Sequence, residues 1–213
     1  MNKKLSFAIV SGAGPMAGKL LYELFIEQLQ KKGAWRDGDF PSILLHNVPF
    51  SPMLDGNVNN SVVYDELIQS LKFLSQHSDY VYIACQTLHA FLNTDDIKHY
   101  KVVSLLELTR QYLKDLKDTI NVIASKTSRV YELHNKGLQR VCNYCFEELA
   151  EKSIDNILKG KVVDLSPIEL FAKNNFLILG CTEFSVALRS SGAEKIIDPL
   201  KIAAQDMTMK FCG

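Results

Sequence analysis

Two apolar stretches that end in the same way constrain this chain more than any other feature. Residues 80–89 read YVYIACQTLH, a β-branched apolar run broken by a small residue, a cysteine and then a hydroxyl residue; residues 176–183, FLILGCTE, repeat the design. Continuous apolar runs that stop at a polar loop are the pattern of strands buried on both faces of a parallel sheet. Cys85 and Cys181 therefore stand at the carboxyl ends of strands, the edge where open α/β sheets bind ligands. A helix starting near Thr87 would aim its first N–H groups at the sulfur, and such surroundings lower a thiol pKa and supply thiolate near neutral pH. A single buried cysteine needs no function, but two in matching contexts argue for one site made of two halves.

The rest of the chain alternates strand and helix. Residues 5–11 are strand-like, GAGPMAG (12–18) is a turn, and helical spacing runs over 16–32. The glycine loop is either a tight βα turn or a cradle whose N–H groups bind a carboxylate or phosphate, and it matches neither the dinucleotide nor the Walker fingerprint. Residues 42–47 form a short strand, NVPFSPMLDGNVNN a loop, and 62–73 a crossover helix. After the first cysteine, a helical segment precedes residues 101–105, 107–117 read as helix and 119–124 as strand. The polar loop 125–128 either faces a ligand or caps the next helix. Residues 130–150 are broadly helical, a turn falls near Gly160, and Ser166, Pro167 and Glu169 read as cap, N1 and N3 of a helix. A short strand at 195–198 stops at Pro199, before a closing helix over 201–211. This alternation gives an α/β class with parallel sheets.

Charge and cysteine usage narrow the partners. Lys plus Arg number 24, as do Asp plus Glu, so no global field favours nucleic acid or an anionic membrane, and a small neutral or zwitterionic ligand fits better. Five cysteines in 213 residues form no dense framework, which points to reduced thiols and a cytoplasmic protein. Lys3 and Lys4 followed by LSFAIV resemble the start of a signal peptide, but the apolar run is short and meets Gly12 and Gly14, so it reads as a buried first strand. No run reaches transmembrane length. Cys142 and Cys145 form a C-x-x-C within the helical pattern, without a second pair to complete a zinc site. His46, His77, His99 and His134 are isolated, and His89 either lines the site or makes a structural hydrogen bond.

The segments SGAGPMAG (11–18), RDGDFP (36–41), ACQTLH (84–89), ILGCTE (178–183) and IIDPLKIAAQ (196–205) together resemble the aspartate/glutamate racemase family, and the resemblance spans nearly the whole chain. It implies two similar α/β lobes, each a parallel sheet flanked by helices, related by a pseudo-twofold with the site in the cleft between them. The lobes would be residues 1–100, with 200–213 returning to the first, and 101–199. It further implies an amino-acid racemase, commonly a homodimer, that needs neither pyridoxal phosphate nor metal. Its bases would be Cys85 and Cys181, with Gly14, Gln86, Thr87, Thr182 and Glu183 around the amino-acid substrate. Inversion suits two bases, since a proton leaves one face of the α-carbon and another arrives on the opposite face.

The chain also departs from that family. Gln86 stands where an asparagine is usual, and Ala13 replaces the glycine-loop methionine. The loop 51–60 has no arginine or lysine, and Glu151 takes the place of a lysine, with Lys152 one step along. A buried second carboxylate would then lack its cationic partner, which argues against an acidic substrate. Rival readings are a lyase or another isomerase on the same frame, and a binding protein that keeps the cleft without the chemistry.

Overall fold

A computed structural model describes residues 5–53, 58–136 and 142–213. The lysines of the signal-like start, residues 54–57 of the loop and residues 137–141 of the 130–150 stretch lie outside the described residues. The first sheet is built from β1 (Ser6–Ser11), β2 (Ser42–Asn47), β3 (Tyr80–Ile83) and β4 (Val102–Val103), in the order β2-β1-β3-β4. The second uses β5 (Ile120–Ile123), β6 (Asn143–Tyr144), β7 (Phe176–Leu179) and β8 (Ile196–Ile197), in the order β6-β5-β7-β8. All pairings are parallel. The second sheet thus repeats the first strand for strand, and the α/β class with two similar parallel-sheet lobes holds.

The apolar runs are continuous because each central strand is covered on both faces. In β1, Phe7 and Ile9 join the core formed with α1 (Pro15–Lys31), while Ala8 and Val10 join the one formed with α2 (Asn60–His77). Helix α1 presents Leu21, Leu24, Phe25 and Leu29 to the sheet; burying a side chain of this size is worth about 1.5–3 kcal/mol. The closing helix α9 (Pro199–Cys212) contributes Leu200, Ala203 and Met207 to the same core, so the end of the chain packs on the first sheet. Helix α4 (Leu105–Leu113) packs against α9 and places Leu105 there too. On the second sheet, α6 (Glu147–Leu158) and α7 (Ser166–Phe171) supply Ala150, Ile154 and Ile168.

Two expectations from the sequence need correction. The 130–150 stretch is not one helix: α5 (Lys126–Val130) gives way to turns through Lys136, then to β6, and α6 begins only at Glu147, after Phe146 in the left-handed conformation (φ 57°). The C-x-x-C pair consequently straddles a two-residue strand. Side chains three apart on a strand point to opposite faces, and Cys142 packs in one core while Cys145 packs against the other. The helix at Ser166 is capped one residue earlier than expected, by Leu165, and Asp164 accepts from the Ser166 N–H at 3.0 Å.

Candidate functional site

Both cysteine strands end against one cavity of about 260 Å³ at the junction of the two sheets. Cys85 follows β3 and precedes a 3₁₀ turn (Thr87–Phe91); Cys181 follows β7 and is the N-cap of α8 (Thr182–Ala187). Gly14, Gln86, Thr87, Thr182 and Glu183 also border the cavity, as do Ser125 and the apolar side chains of Phe50, Met53 and Leu158. The glycine loop meets two tight constraints. Gly12 has φ +117° and a Cβ there would stand 1.8 Å from Val48 O; Gly14 has φ +87° and a Cβ there would stand 1.8 Å from a Glu183 carboxylate oxygen. Only glycine meets both demands, which lets Glu183 reach across from the second lobe into the mouth of the first βα turn.

The lobes are stitched together beside the thiols. Thr182 Oγ1 donates to Ala84 O at 3.0 Å, just ahead of Cys85, and Gln86 Nε2 donates to Leu179 O at 2.7 Å, just ahead of Gly180 and Cys181. Each residue following a cysteine therefore grips the backbone leading to the other one. His134 Nε2 donates to Gln86 Oε1 at 2.9 Å, so both ends of the Gln86 amide bond across the junction. Thr87 Oγ1 lies 2.8 Å from Ser128 Oγ and 3.3 Å from Ser125 Oγ, again across the junction. Ser125 also caps α5 by accepting from the Ser128 N–H, so the polar loop 125–128 both caps a helix and reaches the cavity. Thr127 Oγ1 donates to Met53 O at 2.6 Å, which ties the loop after β2 to the second lobe.

The sequence suggested lowered thiol pKa values; burial reverses this. The N–H groups of Leu88 and Thr87 and the Thr87 hydroxyl do favour a Cys85 thiolate, as expected of a turn starting there. Desolvation and the nearby Glu183 carboxylate outweigh them and push Cys85 up to about 12. Cys181 is also raised well above its ordinary value, by desolvation first, then by Glu183 and by Cys85 itself. Its thiol donates to Glu183 Oε2 at 2.7 Å, and Glu183 is in turn raised by its own burial. The two thiols are therefore neutral, one of them hydrogen-bonded to a carboxylate. Such an arrangement can pass a proton from sulfur to oxygen with little movement.

His89 is a structural partner: its Nδ1–H donates to Cys85 O at 3.0 Å and its Nε2 accepts from Leu105 N–H at 3.3 Å. Burial lowers it to about 4 and keeps it neutral. His134 is lowered to about 4 for the same reason. Neither His134 nor the apolar walls carried a sequence signal, because their partners at the cavity lie far along the chain or in the other lobe. Among the described residues no lysine or arginine borders the cavity. Arg129 is bound to Ala124 O at 3.0 Å and to Glu151 and Glu147 at 2.6 and 3.4 Å, and Lys152 pairs with Glu148 at the surface. No group of three or more His, Cys, Asp or Glu side chains among the described residues could hold a metal ion, and no described helix is long and apolar enough to cross a membrane.

No protein-family model matches the chain. Solved structures do match over nearly its full length. An aspartate racemase from Picrophilus torridus superposes with a TM-score of 0.74 at 20% identity, covering 98% of this chain and 94% of its own. An aspartate racemase homologue from Pyrococcus horikoshii gives 0.71 at 18%, covering 98% and 99%. A glutamate racemase from Francisella tularensis in complex with D-glutamate gives 0.67 at 19%, covering 99% and 81%. With the repeated sheet order and the two strand-end cysteines, these matches show that the chain has the fold of the aspartate and glutamate racemases.

Proposed function

We propose that this protein is a cofactor-independent amino-acid racemase that works in the reducing cytoplasm, with Cys85 and Cys181 as its two bases. The observation that carries the reading is that both thiols, at the ends of equivalent strands of two repeated sheets, face one amino-acid-sized cavity. One thiolate takes the α-proton from its side as the Cα–H bond breaks. The other thiol gives its proton to the opposite side of the resulting carbanion, and solvent exchange then restores the starting protonation.

The thiolate has to be made at binding. At pH 7 a thiol pushed up to about 12 needs about 7 kcal/mol to ionise, at about 1.4 kcal/mol per unit. An ammonium about 4 Å away at an effective dielectric near 20 returns about 4 kcal/mol, more than half of that. The substrate's own α-ammonium thus supplies the missing cation. On the Cys181 side Glu183 adds a second route: the Sγ–H bond breaks, an Oε2–H bond forms, and the thiolate is left facing the α-carbon.

The test is α-deuterium exchange of pure L- and pure D-substrate by single variants. Cys85→Ser and Cys181→Ser are each expected to abolish racemisation while keeping exchange of one enantiomer, a different one for each variant. Loss of exchange for the same enantiomer in both, or racemisation surviving either change, would remove the two-base mechanism.

A further inference from the structure

We propose that the amino acid accepted by this site carries an uncharged, apolar side chain of about the size of leucine or methionine, and not a second carboxylate; the proposal rests on reading the cavity as an amino-acid site. The charges around the cavity decide it. Its described walls hold one carboxylate, Glu183, and no cation. A bound zwitterion is balanced there: its ammonium can face Glu183, and its carboxylate can face the hydroxyls of Thr87 and Ser125. A second carboxylate would bring the local excess to two negative charges in a half-enclosed, largely apolar space. Arg129, at the edge of the second lobe, is already neutralised by Glu147 and Glu151 and held to Ala124 O. An unpaired buried carboxylate is among the costliest groups a binding site can hold.

Shape agrees with charge. The remaining walls are apolar and come from both lobes: Phe50 and Met53 on the loop after β2, and Leu158 at the end of α6. Leu158 Cδ2 comes within 3.8 Å of a Cβ built on Gly14, so this wall closes over the glycine loop beside Glu183. A cavity of about 260 Å³ falls just below the range of roughly 300–1,000 Å³ typical of drug-sized ligands. It leaves room for an amino acid and little else.

The experiment is isothermal titration of the reduced full chain with L- and D-leucine, methionine, aspartate and glutamate, run beside α-deuterium exchange with each. Leucine or methionine is expected to bind at least a hundredfold more tightly than either acidic amino acid. Equal or tighter binding of aspartate or glutamate overturns the proposal, and so does binding of none of the four. Binding of an apolar amino acid without exchange upholds the side-chain class and removes the racemase reading, so the two failures are separable. Met53→Arg and Leu158→Lys each place a cation on the apolar wall, and Leu158 is 41% exposed, so a lysine there can keep its charge near solvent. At least one is expected to raise aspartate affinity tenfold or more while weakening that for methionine. If both folded variants leave aspartate binding unchanged, the side chain does not lie against this wall and the proposal fails.

Discussion

Cys85 and Cys181 end equivalent strands, and the residues that follow them occupy equivalent places, yet those residues do different chemistry. Gln86 and Thr182 both cross the junction to a backbone carbonyl. Thr87 and Glu183 stand one step further on, a hydroxyl set among serines on one side and a carboxylate bonded to its own thiol on the other. His89 and Ser185 come next in register, and each ties its half to the start of a following helix. His89 does so through Leu105 N–H, and Ser185 by donating to Asp198, the cap of α9, at 2.7 Å. The repeated backbone places two thiols at one cavity. The unlike side chains give one of them a proton acceptor and the other a set of donors.

Replacing Glu183 should break this asymmetry most. Glu183→Gln keeps the volume and removes both the proton acceptor and the charge that raises Cys85. Exchange of the enantiomer served by Cys181, identified as the one lost in Cys181→Ser, is expected to fall 10²–10⁴-fold, the usual range for a lost general base. Exchange of the other enantiomer should hold or rise. An equal loss on both hands would mean that Glu183 serves the substrate and not the sulfur.

The stitches should differ in strength. Gln86→Leu removes the bond to Leu179 O and strands the His134 donor in a buried place, at about 1–3 kcal/mol for an orphaned buried group in addition to the lost bond. Thr182→Val removes one bond, worth about 1 kcal/mol. Urea unfolding of the two variants checks the order, and equal losses would mean that His134 finds another acceptor.

A pH dependence separates His89 from Ser185. His89 is held neutral at about 4 in the fold against an ordinary value near 6.5. Between those values the unfolded chain binds the extra proton, so this contribution to stability is complete above about 6.5 and is lost as the pH falls toward 4. The loss reaches roughly 3 kcal/mol at most, and His134 adds a similar term at the Gln86 stitch. Thermal unfolding at pH 7 and pH 4.5 should show a smaller acid shift for His89→Gln than for the parent. An unchanged shift would place the acid sensitivity elsewhere.

How far the sequence could be read follows from the range of the interactions involved. Strands β1, β3 and β7 and the two cysteines were legible because burial on both faces writes itself as an unbroken apolar run, whereas β2, a partly exposed edge strand, was marked by a short apolar run and the proline-rich loop after it. Residues 130–150 were misread because apolar side chains there recur at helical spacing while the backbone turns to form the two-residue edge strand β6, too short to leave a pattern of its own. The thiol pKa values were misjudged because local N–H donors are visible in sequence and desolvation is not. The bond from Gln86 to Leu179 O was hidden for a related reason: its acceptor lies in the other lobe.

Both stitches end on main-chain carbonyls, Ala84 O and Leu179 O, and every amino acid has a carbonyl to offer. Strands β3 and β7 are therefore free to drift among apolar residues without disturbing the distance between the thiols, while the two donors, Gln86 and Thr182, are not. Apolar substitutions in a library of variants should accordingly be tolerated along the strands and rejected at the residue after each cysteine, with Gly180 an exception, since a Cβ there would stand 2.6 Å from Val122 Cγ1 and 2.9 Å from His134 Nε2.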